Sequence, residues 1–160
     1  MDWTGWAVFG VVATAGLTAV MIAAQLSGWS RLDLPLMLGT ILVEDPDLAR
    51  VAGFVVHLAI GQLFAIFYVA GFAAFGRSGW WLGAVFGLGH AAVALTILVP
   101  LLPGIHPRMA TERAGPRSTS VLEPPGLFGL NYGAATPIVA VVAHLCYGAV
   151  LGLLVGAGPT

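Results

Sequence analysis

Two histidines stand where histidine is least at home. The string FVVHLAIG (54–61) sets His57 inside an almost wholly apolar run, and VVAHLCYG (141–148) does the same for His144. An ionisable group that deep in apolar sequence is a functional-site candidate, because its desolvation is costly unless it is bonded or used. Neutral imidazole binds haem iron and other transition metals, and it carries protons near neutral pH. Gly53, His57 and Gly61 share one helical face at i, i+4 spacing, as do Ala140, His144, Gly148, Gly152 and Gly156. Bare backbone beside each imidazole is the clearance that a planar macrocycle with two axial histidines requires. A b-type haem held by His57 and His144 against Gly61 and Gly148 is therefore one expectation. The alternative is interhelical packing: small-x-x-x-small ladders bring helices together, and a buried histidine can hydrogen-bond across such an interface.

A divalent metal needs more than two ligands. Asp33 in DLPLMLG (33–39) and Glu123 in EPPGLFG (123–129) could complete a two-histidine, two-carboxylate set suited to iron, manganese or zinc. Both acids serve equally well as helix caps or interfacial charges. His90, in GLGHAAVA (87–94), lies on the stripe of Gly83 and Gly87. It is a third ligand, a proton relay, or a packing partner for Thr14, Gln25, Gln62 or Tyr68. His106, between Gly104 and Pro107, reads as a loop residue. Cys146 is the only cysteine, so an internal disulfide is excluded and a packing role is expected. No Ser–His–Asp arrangement, phosphate-cradling glycine loop or HExxH string is present, which leaves an enzyme acting on a soluble substrate the least supported class.

The elements that must carry these residues follow from composition. The 160 residues are 59% hydrophobic and 8% charged, against about 25% charged in soluble domains. Lysine is absent, and the net charge of −1 offers no basic patch to nucleic acid. Four segments reach the roughly 20 apolar residues that a bilayer demands: Trp6–Trp29, Val51–Gly76, Trp80–Gly104 and Pro137–Gly156. Trp3, Trp6, Trp29, Trp80 and Trp81 fall at segment ends, where aromatic rings favour the headgroup zone. The N-terminus has no basic residue ahead of its apolar run, so the first segment is expected to stay as a helix rather than be cleaved. The fold expected is an all-α, four-helix transmembrane bundle forming a single domain over residues 1–160.

Orientation follows from arginine. Arg31 and Arg50 lie in one long loop and Arg108, Arg113 and Arg117 in the other, while Arg77 is alone on the opposite side. Loops 30–50 and 104–136 are thus expected in the cytoplasm and both termini outside, in a bacterial cytoplasmic membrane. LDLPLMLGTIL (32–42) and LEPPGLFGLNYG (122–133) are apolar but too short to span, and are expected as re-entrant or interfacial segments. Residues 106–121 read as a polar excursion. Pro100 and Pro103 are expected to kink or end the third helix.

The two halves also match one another. AVFG recurs at 7–10 and 84–87, acid-x-Pro-x-apolar-apolar-Gly at 33–39 and 123–129, and VVHLAIG (55–61) parallels VAHLCYG (142–148). Three matches in one order suggest a tandem duplication, residues 5–76 and 79–158, whose halves insert the same way up. His57 and His144 would then be symmetry mates, about 10 Å in from the cytoplasmic helix ends at 1.5 Å per residue.

The strings WWLGAVFGLGHAAVALTILVPLLPGIHPRM, LEPPGLFGLNYG and AHLCYGAVLG resemble a group of small bacterial integral membrane proteins, over residues 50–156. The resemblance implies a four-helix membrane fold and brings no activity and no site residues with it. Three function classes follow from the residues themselves. One is redox or electron transfer on a haem b or metal held by the histidine pair. Another is a non-catalytic accessory or scaffold subunit of a larger membrane complex. The third is a small-solute or proton pathway in a homo-oligomer.

Overall fold

The computed structural model describes residues 3–111, 115–116 and 118–157, with side chains from Trp6 onward. It is all-helical among these residues. The helices are α1 (Trp3–Leu26), α2 (Leu34–Gly39), α3 (Pro46–Phe75), α4 (Trp80–Val93), α5 (Val99–Ile105) and α6 (Thr136–Ala157). A π-helical turn, Ala94–Leu98, joins α4 to α5, and a 3-10 segment, Leu127–Tyr132, precedes α6. Four continuous runs are long and apolar enough to cross a membrane: Trp6–Leu26, Pro46–Phe75, Trp80–Ile105 and Thr136–Ala157. Large apolar side chains such as Leu63, Phe67, Leu101 and Ile138 point outward along them. A surface that apolar suits lipid rather than water.

The ends of the helices have local causes. Asp45 accepts from the N–H groups of Asp47 and Leu48 at 3.1 and 2.9 Å, and Pro46 occupies the first turn, so α3 starts at Pro46 rather than at Val51. Gly76, left-handed at φ 62°, closes it. In the third span Pro100 has no N–H to give the preceding turn. The chain answers with the π-helical turn instead of stopping, and the helix runs through Pro103 to Ile105.

Packing is uneven around the bundle. α4 lies on α6 through glycine: a Cβ on Gly83 would overlap the Gly148 carbonyl, and one on Gly148 would overlap the Gly83 carbonyl. α1 packs on both α6 and α3. α2 is pressed against the start of α3, with Pro35 and Gly39 against Gly53 and Ala49, so this loop holds a short helix folded onto the bundle. α3 and α4, though joined by a short turn, hardly meet through their backbones. Aromatic rings fill that side, with Phe72 stacked on Phe86 at 5.4 Å and Tyr68 edge-on to Phe86 at 5.9 Å.

Both long loops close the same end of the bundle and clasp one another. The Arg31 side chain donates to Asn131 O and pairs with Glu123 at 2.9 Å, while Arg108 donates to Thr40 O at 2.7 Å and pairs with Glu44 at 3.1 Å. Ser30 and Thr136 share a hydrogen bond of 2.8 Å beneath them. Phe128 adopts a left-handed φ of 57° to fit the 3-10 segment, a strain that the surrounding contacts must hold. At the start of the expected excursion from 106 to 121, His106 and Met109 are buried in this floor. Arg113 and Arg117 lie outside the described residues.

Candidate functional site

α1, α3, α4 and α6 each bring polar groups to one level, midway along the spans. His57 is on α3, His90 on α4 and His144 on α6. His90 and His144 meet edge to face with ring centroids 4.6 Å apart. His57 makes no ring contact with either among the described residues and is tied to α1 through Thr18. α1 contributes Thr14 and Thr18, both buried. Each threonine hydroxyl donates one turn back, Thr14 to Gly10 O at 2.7 Å and Thr18 to Thr14 O at 2.8 Å.

The hydrogen bonds fix which ring nitrogen carries the proton. His144 Nδ1 lies 2.7 Å from Ala140 O. A carbonyl only accepts, so Nδ1 carries the hydrogen and the Nε2 lone pair of the neutral ring stays bare. His57 Nδ1 lies 2.9 Å from Thr18 Oγ1. With the Thr18 hydrogen directed at Thr14 O, His57 Nδ1 is the donor and its Nε2 carries no hydrogen. His90 Nδ1 shares a hydrogen bond of 3.3 Å with Tyr68 Oη, and its ring stacks on Phe64 at 3.9 Å. No Nε2 of the three has a hydrogen-bond partner among the described residues, and none is a fully buried atom; the buried side-chain atom left without a partner there is Gln62 Oε1. Tyr147, beside His90, donates its phenol to Gly61 O at 2.6 Å.

The other expected ligands are elsewhere. Asp33 caps α2 through Leu36 N at 2.9 Å and pairs with Arg50 at 2.9 Å; Glu123 pairs with Arg31. Both sit at the loop end of the bundle. Arg50 precedes His57 by about 10 Å of helix, so Asp33 on Arg50 is out of reach of the imidazoles. Among the described residues no three His, Cys, Asp or Glu side chains are grouped to hold a metal ion. The set of His57, His144, His90, Asp33 and Glu123 is therefore not assembled.

The haem geometry also departs from expectation. The glycine strips beside the histidines are not bare. A Cβ on Gly61 would overlap the Thr14 hydroxyl, and Gly148 is closed by α4. The two strips that were to clear a macrocycle are filled by neighbouring helices, and a haem between them does not fit. Cys146 faces outward instead of packing.

His106 belongs to the floor. Its Nε2 donates to Met37 O at 2.9 Å and its Nδ1 accepts from Arg108 N at 3.1 Å, so both nitrogens are satisfied. Thr18 and Tyr147 were not singled out by sequence. The signal for Thr18 was its i, i+4 spacing from Thr14 in an apolar run, and for Tyr147 a phenol mid-helix that needs a partner. No known protein family, curated protein or solved structure matches this chain.

Proposed function

We propose that this chain is an integral membrane protein whose three-histidine cluster is an intramembrane proton-exchange site, the working part of a proton or small-solute pathway. The observation that carries the reading is the bare Nε2 of His144. Its tautomer is set by Ala140 O and it touches His90. A ring nitrogen that no protein group occupies, and that is not itself sealed in the bundle, is open to take and give a proton. The arginine distribution supports placing loops 30–50 and 104–136 on the cytoplasmic side. The matched strings support a tandem duplication with His57 and His144 in equivalent positions.

The test is proton uptake by vesicles containing the purified protein, driven by a potassium diffusion potential and read by an internal pH dye. Uptake above protein-free vesicles is expected for the natural chain and for Cys146→Ala. His57→Phe, His90→Phe and His144→Phe should fall to the protein-free level. Natural-chain uptake equal to that of protein-free vesicles would contradict the reading. A Soret band in purified protein, lost in His57→Ala and His144→Ala, would contradict both this reading and the closure of the glycine strips.

A further inference from the structure

α3 and α4 leave the turn at 76–79 together and then part. Between them lies a cavity of about 520 Å³, lined by Phe64, Phe67, Tyr68, Phe86, Gly89 and His90 among others. Phe67 and Val85 on its rim are exposed, so it opens sideways, towards lipid if the spans cross a bilayer. Its volume and apolar walls with a few polar groups are those of a small-molecule site.

The polar groups narrow the occupant. His90 is ten residues beyond Trp80, about 15 Å along the helix, or halfway through a hydrocarbon core of roughly 30 Å. Phospholipid headgroups and esters stay at the interface and do not reach that depth. An acyl chain reaches it but leaves the His90 ring nitrogen unpaired in hydrocarbon, which is unfavourable. The occupant must carry a hydrogen-bonding group into the hydrocarbon itself. The walls are aromatic, with Phe64 stacked on His90 at 24° between planes and Phe86 meeting Tyr68 edge to face, surroundings that suit a ring. When the Tyr68 phenol donates to His90 Nδ1, Nε2 carries a hydrogen and offers it to a carbonyl.

We infer that this cleft binds a quinone-class lipid, a carbonyl-bearing ring on an apolar tail, with one carbonyl at the His90–Tyr68 edge and the tail leaving into the bilayer. The site shares His90 with the proposed proton-exchange cluster and rests on that reading only there. Binding is read without any proton flux, so either proposal can fail alone.

The test uses the full chain in phosphatidylcholine nanodiscs, irradiated with an aryl-azide derivative of a short-chain benzoquinone and mapped by peptide mass spectrometry. Labels are expected within 64–75 and 85–93, displaced by excess decylubiquinone and not by oleate. Gly89→Leu places a side chain where an added Cβ meets nothing within 4 Å, so the fold is kept while the cleft is filled. Labelling should drop about tenfold there, and by up to about tenfold in His90→Phe, which keeps a ring and removes one hydrogen bond. Gly16→Leu, at an equally open position on α1, should label as the natural chain does. Labels spread over the outward faces of all four spans, undiminished labelling in Gly89→Leu, or equal displacement by oleate would overturn the inference.

Discussion

His106 and His144 are imidazoles in different parts of one small bundle, and their surroundings differ in kind. In the floor, His106 gives Nε2–H to Met37 O and receives Arg108 N–H at Nδ1. Every hydrogen-bonding capacity of the neutral ring is used, and the ring ties the two clasped loops together. In the mid-span cluster His144 uses only Nδ1, and so does His57. The completed bonding of His106 marks a structural role, and the ring nitrogen that His144 leaves without a protein partner is the basis of the exchange role proposed for it. The glycine face of α4 makes the same point about packing. Gly83 lets the α6 backbone into contact, while Phe86 and His90 meet α3 through their rings rather than its backbone.

Breaking the floor should have the largest effect on stability. His106→Ala removes two hydrogen bonds and leaves a buried carbonyl and a cavity, an expected loss of about 3 kcal/mol. It should be read as a lower unfolding midpoint in detergent, with proton uptake per folded molecule unchanged. Thr18→Val is smaller, about 1 kcal/mol, because the hydroxyl's bonds to His57 and to Thr14 O are lost in an otherwise isosteric change, while Thr14 O keeps its helical bond. Its sharper effect should be on uptake, since His57 loses the contact that fixes its tautomer.

The floor also predicts a pH response. Burial first, then the nearby Glu123 charge, push the Tyr132 phenol up to about 12, with Arg31 acting the other way. The folded state therefore resists deprotonation more than the unfolded chain, whose phenol titrates near 10. This contribution to stability is complete below about pH 10 and is lost as pH rises from about 10 towards 12. Unfolding midpoints measured from pH 8 to 11.5 should fall at the upper end, and less steeply in Tyr132→Phe. The smallest stability effect is expected from His144→Phe, within about 1 kcal/mol, since the ring shape is kept and its one bond is local. The same substitution should abolish uptake, which is the reverse of His106→Ala.

The spans were legible because hydropathy alone selects them, and the third ran through both prolines within a residue of its expected end. The start of α3 was not, because a capped and polar first turn carries no apolar signal. The histidines were legible as candidates, but their neighbours were not. Hydropathy does not encode helix order, so the pairing of His144 with His90 instead of face to face with His57 had no sequence signature. Glycine spacing announced close approach without saying by what. Thr14 and α4 fill the strips that a macrocycle would have needed. Asp33 and Glu123 were drawn away by Arg50 and Arg31, partners whose reach depends on how the loops fold.

The claim that the three imidazoles act as one unit is tested most directly by proton uptake in single and double replacements among His57, His90 and His144. If the rings form one exchange site, each single change to Phe removes nearly all protein-dependent uptake and each double change removes no more. Uptake that survives the single changes, or losses that multiply independently in the doubles, would contradict the account.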